Sequence, residues 1–303
     1  DPFIIRDVRG QSVYFTPFQY NAVKNKLRIY TNIVLKATEN NTPAINPLPN
    51  TGTKVAYEMS SIYQSIFMNY NQNPSKWSEE LGEYGEILVI YTSRDATAIQ
   101  PWITWKKEKG FKVTEVQVST GTNIVSTVAS EYASNNNILY VQLVGDWADL
   151  QSDLGTYASA PTDPMVGCVV GSDDYHDLIV GRFSASSASD VTIQVNKAIT
   201  YEQSPQAGGT WYSKSLGIAS DEGAGIGDDS EADYDQINNI HDYRLLTTTY
   251  YTCHEEFDPG ASATNVGNYV DAGVSVINYC GHGSHTSFVS SGFDNTDISH
   301  FFS

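Results

Sequence analysis

One histidine of this sequence lies between two glycines, directly after an apolar run. The segment VSVINYC (274–280) is followed by Gly281, His282 and Gly283. Glycine lets the chain turn and lets a ligand come close to the backbone, and an imidazole titrates near neutral pH and can transfer protons. His282 is therefore a candidate acid–base group. The alternative interpretation is a turn after a buried strand, in which His282 has no chemical role.

A carboxylate elsewhere in the sequence could orient this histidine. Glu222 follows a second apolar run, SLGIAS (215–220). A carboxylate bonded to one imidazole nitrogen fixes the tautomer and stabilises the imidazolium, so that the other nitrogen faces a nucleophile or a leaving group. The nearest thiol is Cys280, for which core packing is the favoured interpretation, because a free cysteine is usually a small buried hydrophobic group.

Two further acidic positions could bind a cation. Asp233 lies in the first turn of a predicted helix, where the helix dipole ordinarily explains a carboxylate, but a carboxylate is also the best partner for a guanidinium. Asp173, Asp174 and Asp177 in VGSDDYHDLIVGRFS offer hard oxygen ligands at close spacing. Calcium is the ion that such ligands favour. A solvated acidic loop is the alternative interpretation.

Alternating strands and helices would position these residues. Strands are predicted at 86–91, 111–118, 138–146, 215–220, 248–253 and 274–280, and helices at 98–110, 122–136, 189–204, 231–246 and 262–272. This alternation indicates βαβ units and a parallel sheet. Ligands of such sheets bind beyond the carboxyl ends of the strands. Glu222 and His282 each follow a predicted strand, so the topology should bring them to one crevice.

Composition excludes several classes of partner and site. The 303 residues carry a net charge of -18, from 35 acidic and 17 basic side chains, which argues against nucleic acid or an anionic membrane as the main partner. The 3 cysteines show no CxxC spacing, so neither a disulfide framework nor a zinc site is indicated. No apolar run approaches the ~18 residues of a membrane span.

Three segments, taken together, resemble a known family. VGSDDYHDLIVGRFSASS (170–187), LGIASDEGAG (216–225) and VSVINYCGHGSHTS (274–287), in this order and spacing, resemble the catalytic domain of the gingipains, cysteine endopeptidases of the caspase-like fold. The arginine-specific gingipain R group is the most similar. The resemblance covers about residues 81–303. The β-rich stretch SVYFTPFQYNAVKNKLRIYTNIVLKAT is similar to the end of the propeptide that precedes such domains.

The resemblance implies a domain organisation. Residues 1–55 would be the C-terminal part of a β-rich propeptide that contains a β hairpin, and residues 56–80 a linker. Residues 81–205 and 206–303 would be two α/β subdomains of a parallel-sheet, three-layer α/β/α catalytic domain, the second ending before the nucleophile strand.

The resemblance also implies a role for each candidate residue. His282 would be the general base and acid, Glu222 the carboxylate behind it, and Gly283 the donor of an N–H to the oxyanion hole. Asp233 would form the base of the substrate pocket for arginine. Asp173 and Asp177 would bind a structural calcium ion.

We therefore expect a zymogen or processed fragment of a secreted or cell-surface bacterial cysteine endopeptidase that hydrolyses peptide bonds after arginine. Its partners would be arginine-containing proteins or peptides, its own propeptide, and a C-terminal fragment that carries the nucleophilic cysteine beyond Ser303. The alternative is a surface binding or adhesion module that keeps the fold without catalysis.

Overall fold

The computed structural model describes residues 2–36, 38, 42–49, 55–70, 84–155, 159–224, 230–284 and 286–298. The chain divides into two compact units, Asp1–Ser204 and Pro205–Ser303. The division lies one residue before the predicted start of the second subdomain. Within the described residues, no helix is both long and apolar enough to cross a membrane.

The first unit begins with antiparallel hairpins. Strands β1 (Pro2–Ile5) and β2 (Val8–Gln11) pair with each other, and so do β3 (Phe18–Asn21) and β4 (Lys26–Ile29). Helix α1 (Tyr57–Ile66) follows, in a stretch where the sequence predicted a linker. Met59 and Tyr63, four positions apart, lie on one buried face of α1. Packing therefore makes a helix here although the segment is rich in serine.

A four-stranded parallel sheet forms the centre of the first unit. Its strands are β5 (Glu86–Thr92), β6 (Val113–Val118), β8 (Ile138–Val144) and β10 (Ile179–Phe183), in the order β10-β8-β5-β6. The helices are α2 (Gln100–Glu108), α3 (Val125–Ser134) and α4 (Ala188–Gln203). A short parallel pair, β7 (Thr122–Asn123) and β9 (Leu150–Gln151), lies outside this sheet.

The buried strand β5 shows why the first unit has three layers. Successive strand residues point to opposite faces of a sheet. Ile87 and Val89 belong to the core cluster that contains residues of α2 and α4. Leu88 and Ile90 belong to a second cluster, which contains Val128 of α3. Helices therefore cover both faces of the sheet, as a nearly continuous apolar strand requires.

The second unit repeats this architecture on a smaller scale. Its strands β11 (Lys214–Ala219), β12 (Thr252–Phe257) and β13 (Val276–Cys280) are parallel, in the order β12-β11-β13, and its helices are α5 (Asp233–Ile240) and α6 (Ala263–Asp271). Gly217 in β11 lets α5 approach, because a Cβ atom there would lie 2.3 Å from Ile237 Cγ2.

The predicted fold class, a parallel-sheet α/β fold preceded by a β hairpin, is confirmed. Besides α1, two strands differ from the sequence prediction. Strand β10 lies in a segment that reads as an acidic loop. Strand β12 begins four residues later than predicted, because Thr248 and its neighbours belong to the end of the preceding helical segment, where the Thr248 hydroxyl donates to Leu245 O.

Candidate functional site

The candidate site lies at the carboxyl ends of two adjacent strands of the second unit. Strands β11 and β13 are hydrogen-bonded neighbours, and Ala219 lies opposite Cys280 in their register. One residue beyond, Ser220 N donates to Cys280 O at 3.0 Å. The segments that carry Glu222 and His282 therefore leave the sheet side by side, as the parallel topology predicts.

Glu222 and His282 are in contact. The Nε2 atom of His282 lies 3.1 Å from Oε2 of Glu222. The side chains are 79% and 58% exposed, so water screens the attraction between them. The contact instead fixes the orientation of the imidazole. Because Nε2 faces the carboxylate, Nδ1 is the nitrogen that can exchange a proton with a reacting group.

Glycine is required where the chain leaves β13. Gly281 has a φ of 151°, which side chains other than glycine rarely adopt. A Cβ atom at this position would also lie 2.8 Å from Ser290 Oγ and 3.0 Å from the Tyr279 hydroxyl. Beyond it, the carbonyl oxygen of His282 accepts hydrogen bonds from the Tyr279 hydroxyl and from Val289 N. These bonds hold the backbone that presents the imidazole.

Gly283 offers a backbone N–H to a ligand. The residues on either side of Gly283 form the hydrogen bonds that close this turn: Ser284 N donates to Ser287 O, and His282 O accepts from Val289 N. In the part of the chain that the structure describes, the Gly283 N–H itself has no acceptor. A free backbone N–H beside a histidine is the kind of donor that stabilises a developing oxyanion.

Asp233 is tied to the same strand ends. It is the first residue of α5, half-buried, and its N–H donates to Glu222 O at 3.2 Å. The Ser220 hydroxyl donates to Oδ2 at 2.5 Å, and the Cys280 thiol lies 3.3 Å from Oδ1. The helix dipole alone therefore does not account for this carboxylate, which two side chains from β11 and β13 hold in place.

Cys280 points toward α5. Its Sγ lies 3.0 Å from Gln236 Oε1 and 3.3 Å from Asp233 Oδ1. The S–H group donates toward these oxygens, whereas a nucleophilic cysteine acts as the thiolate. In the first unit, burial and nearby carboxylates raise the pKa of Cys168 to about 11, which also disfavours a thiolate.

Sequence reasoning missed Ser220. Its hydroxyl donates to Asp233 and accepts the N–H of Glu222 at 3.1 Å, so one side chain orders two candidate residues. The available signal was its position: Ser220 is the first residue after a buried strand and begins the polar segment Ser-Asp-Glu. Serine in such a position commonly bonds to the backbone of a following residue.

The structure places Asp173 and Asp177 in the first unit, where their oxygens face hydrogen-bond donors. Asp177 accepts backbone N–H bonds from Arg6, Val169 and Val170, at 2.6 to 2.8 Å. Asp173 accepts from Ile4 N, Tyr175 N and the Asn46 amide. Burial raises the pKa of Asp177 to about 6.

This arrangement does not fit calcium, because oxygens that accept N–H bonds do not present those lone pairs to a cation. Among the residues described, no three His, Cys, Asp or Glu side chains are grouped to hold a metal ion. Calcium binding at Asp173 and Asp177 stays a prediction.

Comparison with known proteins agrees with the fold. Two relatives from Porphyromonas gingivalis (strain ATCC 33277) align with nearly all of the chain. Gingipain R2 is 36% identical over 307 residues, which cover 98% of this chain and 41% of that protein. Lys-gingipain is 24% identical over 97% of this chain and 17% of its own length. The chain thus spans about two fifths of the length of Gingipain R2.

Two solved structures have a matching fold. The crystal structure of the Arg specific cysteine proteinase gingipain R aligns with a TM-score of 0.63 and 31% identity, covering 71% of this chain and 51% of that one. The complex of the Porphyromonas gingivalis RgpB pro- and mature domains aligns with a TM-score of 0.63 and 30% identity, covering 71% and 52%. The parallel sheets described above share the caspase-like fold of these proteins.

The pattern of peptidase family C25 matches residues 81–303, and the pattern of the C25 propeptide matches residues 1–76. The chain therefore belongs to peptidase family C25 and carries residues of that family's propeptide ahead of the peptidase domain.

Proposed function

We propose that the chain is part of a secreted cysteine endopeptidase that cleaves peptide bonds after arginine. The observation that carries the proposal is the contact between His282 and Glu222 at the carboxyl edge of a C25 sheet. The similarity to an Arg specific cysteine proteinase and to Gingipain R2 supports the choice of arginine. Secretion is a proposal that rests on the resemblance alone, and calcium is not part of the proposal, because the oxygens of Asp173 and Asp177 accept N–H bonds.

In this proposal His282 transfers the protons. Glu222 holds Nε2–H, and Nδ1 accepts the proton of a cysteine thiol that we place beyond Ser303. The thiolate attacks the carbonyl carbon of the scissile peptide, and the imidazolium then gives the proton to the leaving amine. Water, activated by the same nitrogen, hydrolyses the thioester and regenerates the thiol. Glu222 stabilises the imidazolium without becoming protonated.

Gly283 supports the charge that develops on the substrate. When the thiolate attacks, the carbonyl oxygen becomes an oxyanion, and a fixed N–H donor lowers the energy of that state more than the energy of the ground state. The Gly283 N–H has no acceptor among the described residues and follows the catalytic histidine directly. We assign it as one donor of the oxyanion hole.

Asp233 would select the side chain before the scissile bond. Ser220 and Cys280 each donate to one of its oxygens, which leaves a second lone pair on each oxygen for an incoming group. A guanidinium can donate to both oxygens in a planar fork, whereas the ammonium of lysine makes a point contact. Cleavage after arginine should therefore exceed cleavage after lysine.

A substrate panel tests this function. The full-length protein is assayed on three peptides that differ only in the residue before the scissile bond: arginine, lysine or alanine. We expect cleavage of the arginine peptide far ahead of the other two, and loss of that cleavage after alkylation of the thiol with iodoacetamide. Preference for alanine, or full activity after complete alkylation, would contradict the proposal.

A further inference from the structure

The hydroxyl of Tyr279 joins the two arms of the loop that presents His282. Tyr279 lies in β13, opposite Ile218 of β11, and its hydroxyl donates to the carbonyl oxygen of His282. Because a phenol has one proton, the hydroxyl of Ser290, 3.2 Å from the Tyr279 oxygen, acts as a donor to that oxygen. Ser290 N donates to the same oxygen at 3.4 Å. One side chain of the strand therefore contacts both arms of the loop.

Stacked aromatic rings hold this hydroxyl in position. The ring of Tyr279 stacks on Phe288 with ring centres 4.4 Å apart, and Phe288 stacks on Phe293 at 6.3 Å. Phe293 is 7% exposed and belongs to the core cluster that contains Leu216 of β11. Stacked pairs of this kind prefer a defined geometry. The core thus restrains the ring of Tyr279, and the hydroxyl stays at the His282 carbonyl.

The carbonyl that Tyr279 binds belongs to the same peptide group as the Gly283 N–H. This peptide is trans and planar, so its N–H is directed opposite to its C=O. The C=O also accepts from Val289 N at 3.0 Å. Gly283 and Phe288 form an antiparallel bridge whose hydrogen bonds run through the residues on either side of them. The Gly283 N–H therefore points away from residues 287–289.

Bonds to the carbonyl change the donor on the other side of the peptide in two ways. They fix the plane of the peptide, and an oxyanion donor is effective when its direction is set before the charge develops. They also polarise the peptide, because hydrogen bonds in a chain strengthen one another. The imidazole of His282, by contrast, contacts Glu222. Tyr279 is therefore placed to act on the charge of the substrate and not on the proton of the thiol.

We propose that Tyr279 is a positioning residue that orients and polarises the Gly283 N–H through the carbonyl of His282. The inference rests on the proposed function, because it takes Gly283 as a donor to the oxyanion. It adds a side chain of β13 on which the strength of that donor depends. Since the oxyanion forms only when the peptide is attacked, the loss of Tyr279 should lower kcat and leave KM in place.

Two reactions of the same thiol separate this role from an effect on the imidazole. Peptide hydrolysis develops an oxyanion on the substrate. Methyl methanethiosulfonate instead transfers its methylthio group to the thiolate and releases methanesulfinate, so a disulfide forms and no carbonyl is attacked. Both reactions need the thiolate that His282 forms. A residue that acts only on the oxyanion should therefore affect hydrolysis and not inactivation by this reagent.

The experiment compares three forms of the full-length protein: wild type, Tyr279→Phe and Tyr250→Phe. The matched control Tyr250→Phe removes another half-buried hydroxyl of the second unit, which bonds to Ser275 just before β13 begins. Values of kcat and KM are measured on the peptide of the panel that wild type cleaves fastest. The rate at which methyl methanethiosulfonate abolishes activity is measured on the same samples.

We expect Tyr279→Phe to lower kcat about 10- to 100-fold, because loss of an oxyanion donor itself costs about 10²- to 10³-fold. Its KM and its inactivation rate should stay within about twofold of wild type. Tyr250→Phe should match wild type in all three quantities. A wild-type kcat in Tyr279→Phe would overturn the inference, and so would an equal fall of kcat and of the inactivation rate.

Thermal unfolding reports whether each variant folds. If Tyr279→Phe does not fold, Ser290→Ala decides the outcome, because it removes a donor to the Tyr279 oxygen and leaves Tyr279 in place. A lower kcat with an unchanged inactivation rate supports the inference, and a wild-type kcat overturns it. Wild type that cleaves no peptide of the panel would refute the proposed function and this inference with it. Cleavage by wild type and by Tyr279→Phe at equal kcat would refute the inference alone.

Discussion

The hydroxyl of Ser220 donates to Oδ2 of Asp233 at 2.5 Å and accepts the N–H of Glu222 at 3.1 Å. One side chain at the end of β11 thus joins the carboxylate that we assign to substrate recognition with the residue that contacts His282. Substrate pocket and acid–base pair are therefore built on the same strand end. Replacing Ser220 should therefore affect both the substrate pocket and the acid–base pair.

Asp233→Asn should lower kcat/KM for arginine substrates in the full-length enzyme. Losing one partner of a desolvated ion pair typically costs about 2 to 5 kcal/mol, or roughly 30- to several-thousand-fold in rate. Asp235→Asn, in the same helical turn but exposed, is the control for the helix dipole, which contributes about 0.3 to 1 kcal/mol. Full activity of Asp233→Asn on arginine peptides would refute the pocket assignment.

Cys280→Ala should keep activity within roughly tenfold of wild type, because an S–H group is a weak donor and its loss leaves the Ser220 bond to Asp233 in place. Steady-state assays on an arginine peptide measure this. Complete inactivation of a variant that folds and unfolds as wild type would instead identify Cys280 as the nucleophile.

The buried His241 should make the stability of the second unit depend on pH. The residue is 1% exposed, and burial lowers the pKa of its imidazole from the ordinary 6.5. Above pH 6.5 the imidazole is neutral in the folded and the unfolded state, so it does not make the free energy of unfolding depend on pH. As pH falls below 6.5, the unfolded chain binds a proton that the folded unit does not bind, and the free energy of unfolding decreases.

Denaturant unfolding between pH 5 and 8 measures how the free energy of unfolding changes with pH. This change should be smaller in His241→Gln than in wild type, and the same as wild type in the exposed control His176→Gln. If the free energy of unfolding changes with pH to the same extent in His241→Gln and wild type, His241 is not the group responsible.

Chelation tests the role of Asp173 and Asp177. An ion that binds only the folded state raises Tm by mass action. Because the oxygens of both carboxylates accept N–H bonds in the structure, we expect Tm to be the same with EDTA and with added calcium. A fall of Tm in EDTA that calcium reverses would support the calcium prediction and contradict the hydrogen-bonding role of these carboxylates.

Much of the fold and the outline of the site could be predicted from the sequence, because local patterns carry that information. Apolar runs predicted the strands of the parallel sheets. The parallel topology predicted that Glu222 and His282 lie at neighbouring strand ends, where the structure has them. Helix α1 was not predicted, although Met59, Ile62 and Tyr63 stand at helical spacing, because residues 56–80 were interpreted as a linker; α1 packs against the N-terminal hairpin.

Contacts between distant segments were beyond the reach of local patterns. The bond from Arg6 N to Asp177 joins residues 171 positions apart, and no local pattern in the sequence connects them. The same carboxylate that looked like a metal ligand is satisfied by backbone N–H groups. A spacing of acidic residues shows that oxygen atoms are close together, but it does not show which donors they face.

The acid–base pair is tested most directly by kcat/KM of the full-length enzyme on an arginine peptide, measured for His282→Ala, Glu222→Gln and the exposed control His176→Ala. We expect His282→Ala to lose about 10³-fold or more, because proton transfer to and from the thiol and the leaving amine then lacks its carrier. Glu222→Gln should fall between His282→Ala and wild type, and His176→Ala should match wild type. If His282→Ala stays within tenfold of wild type, a different group transfers the proton and the assignment of this site is wrong.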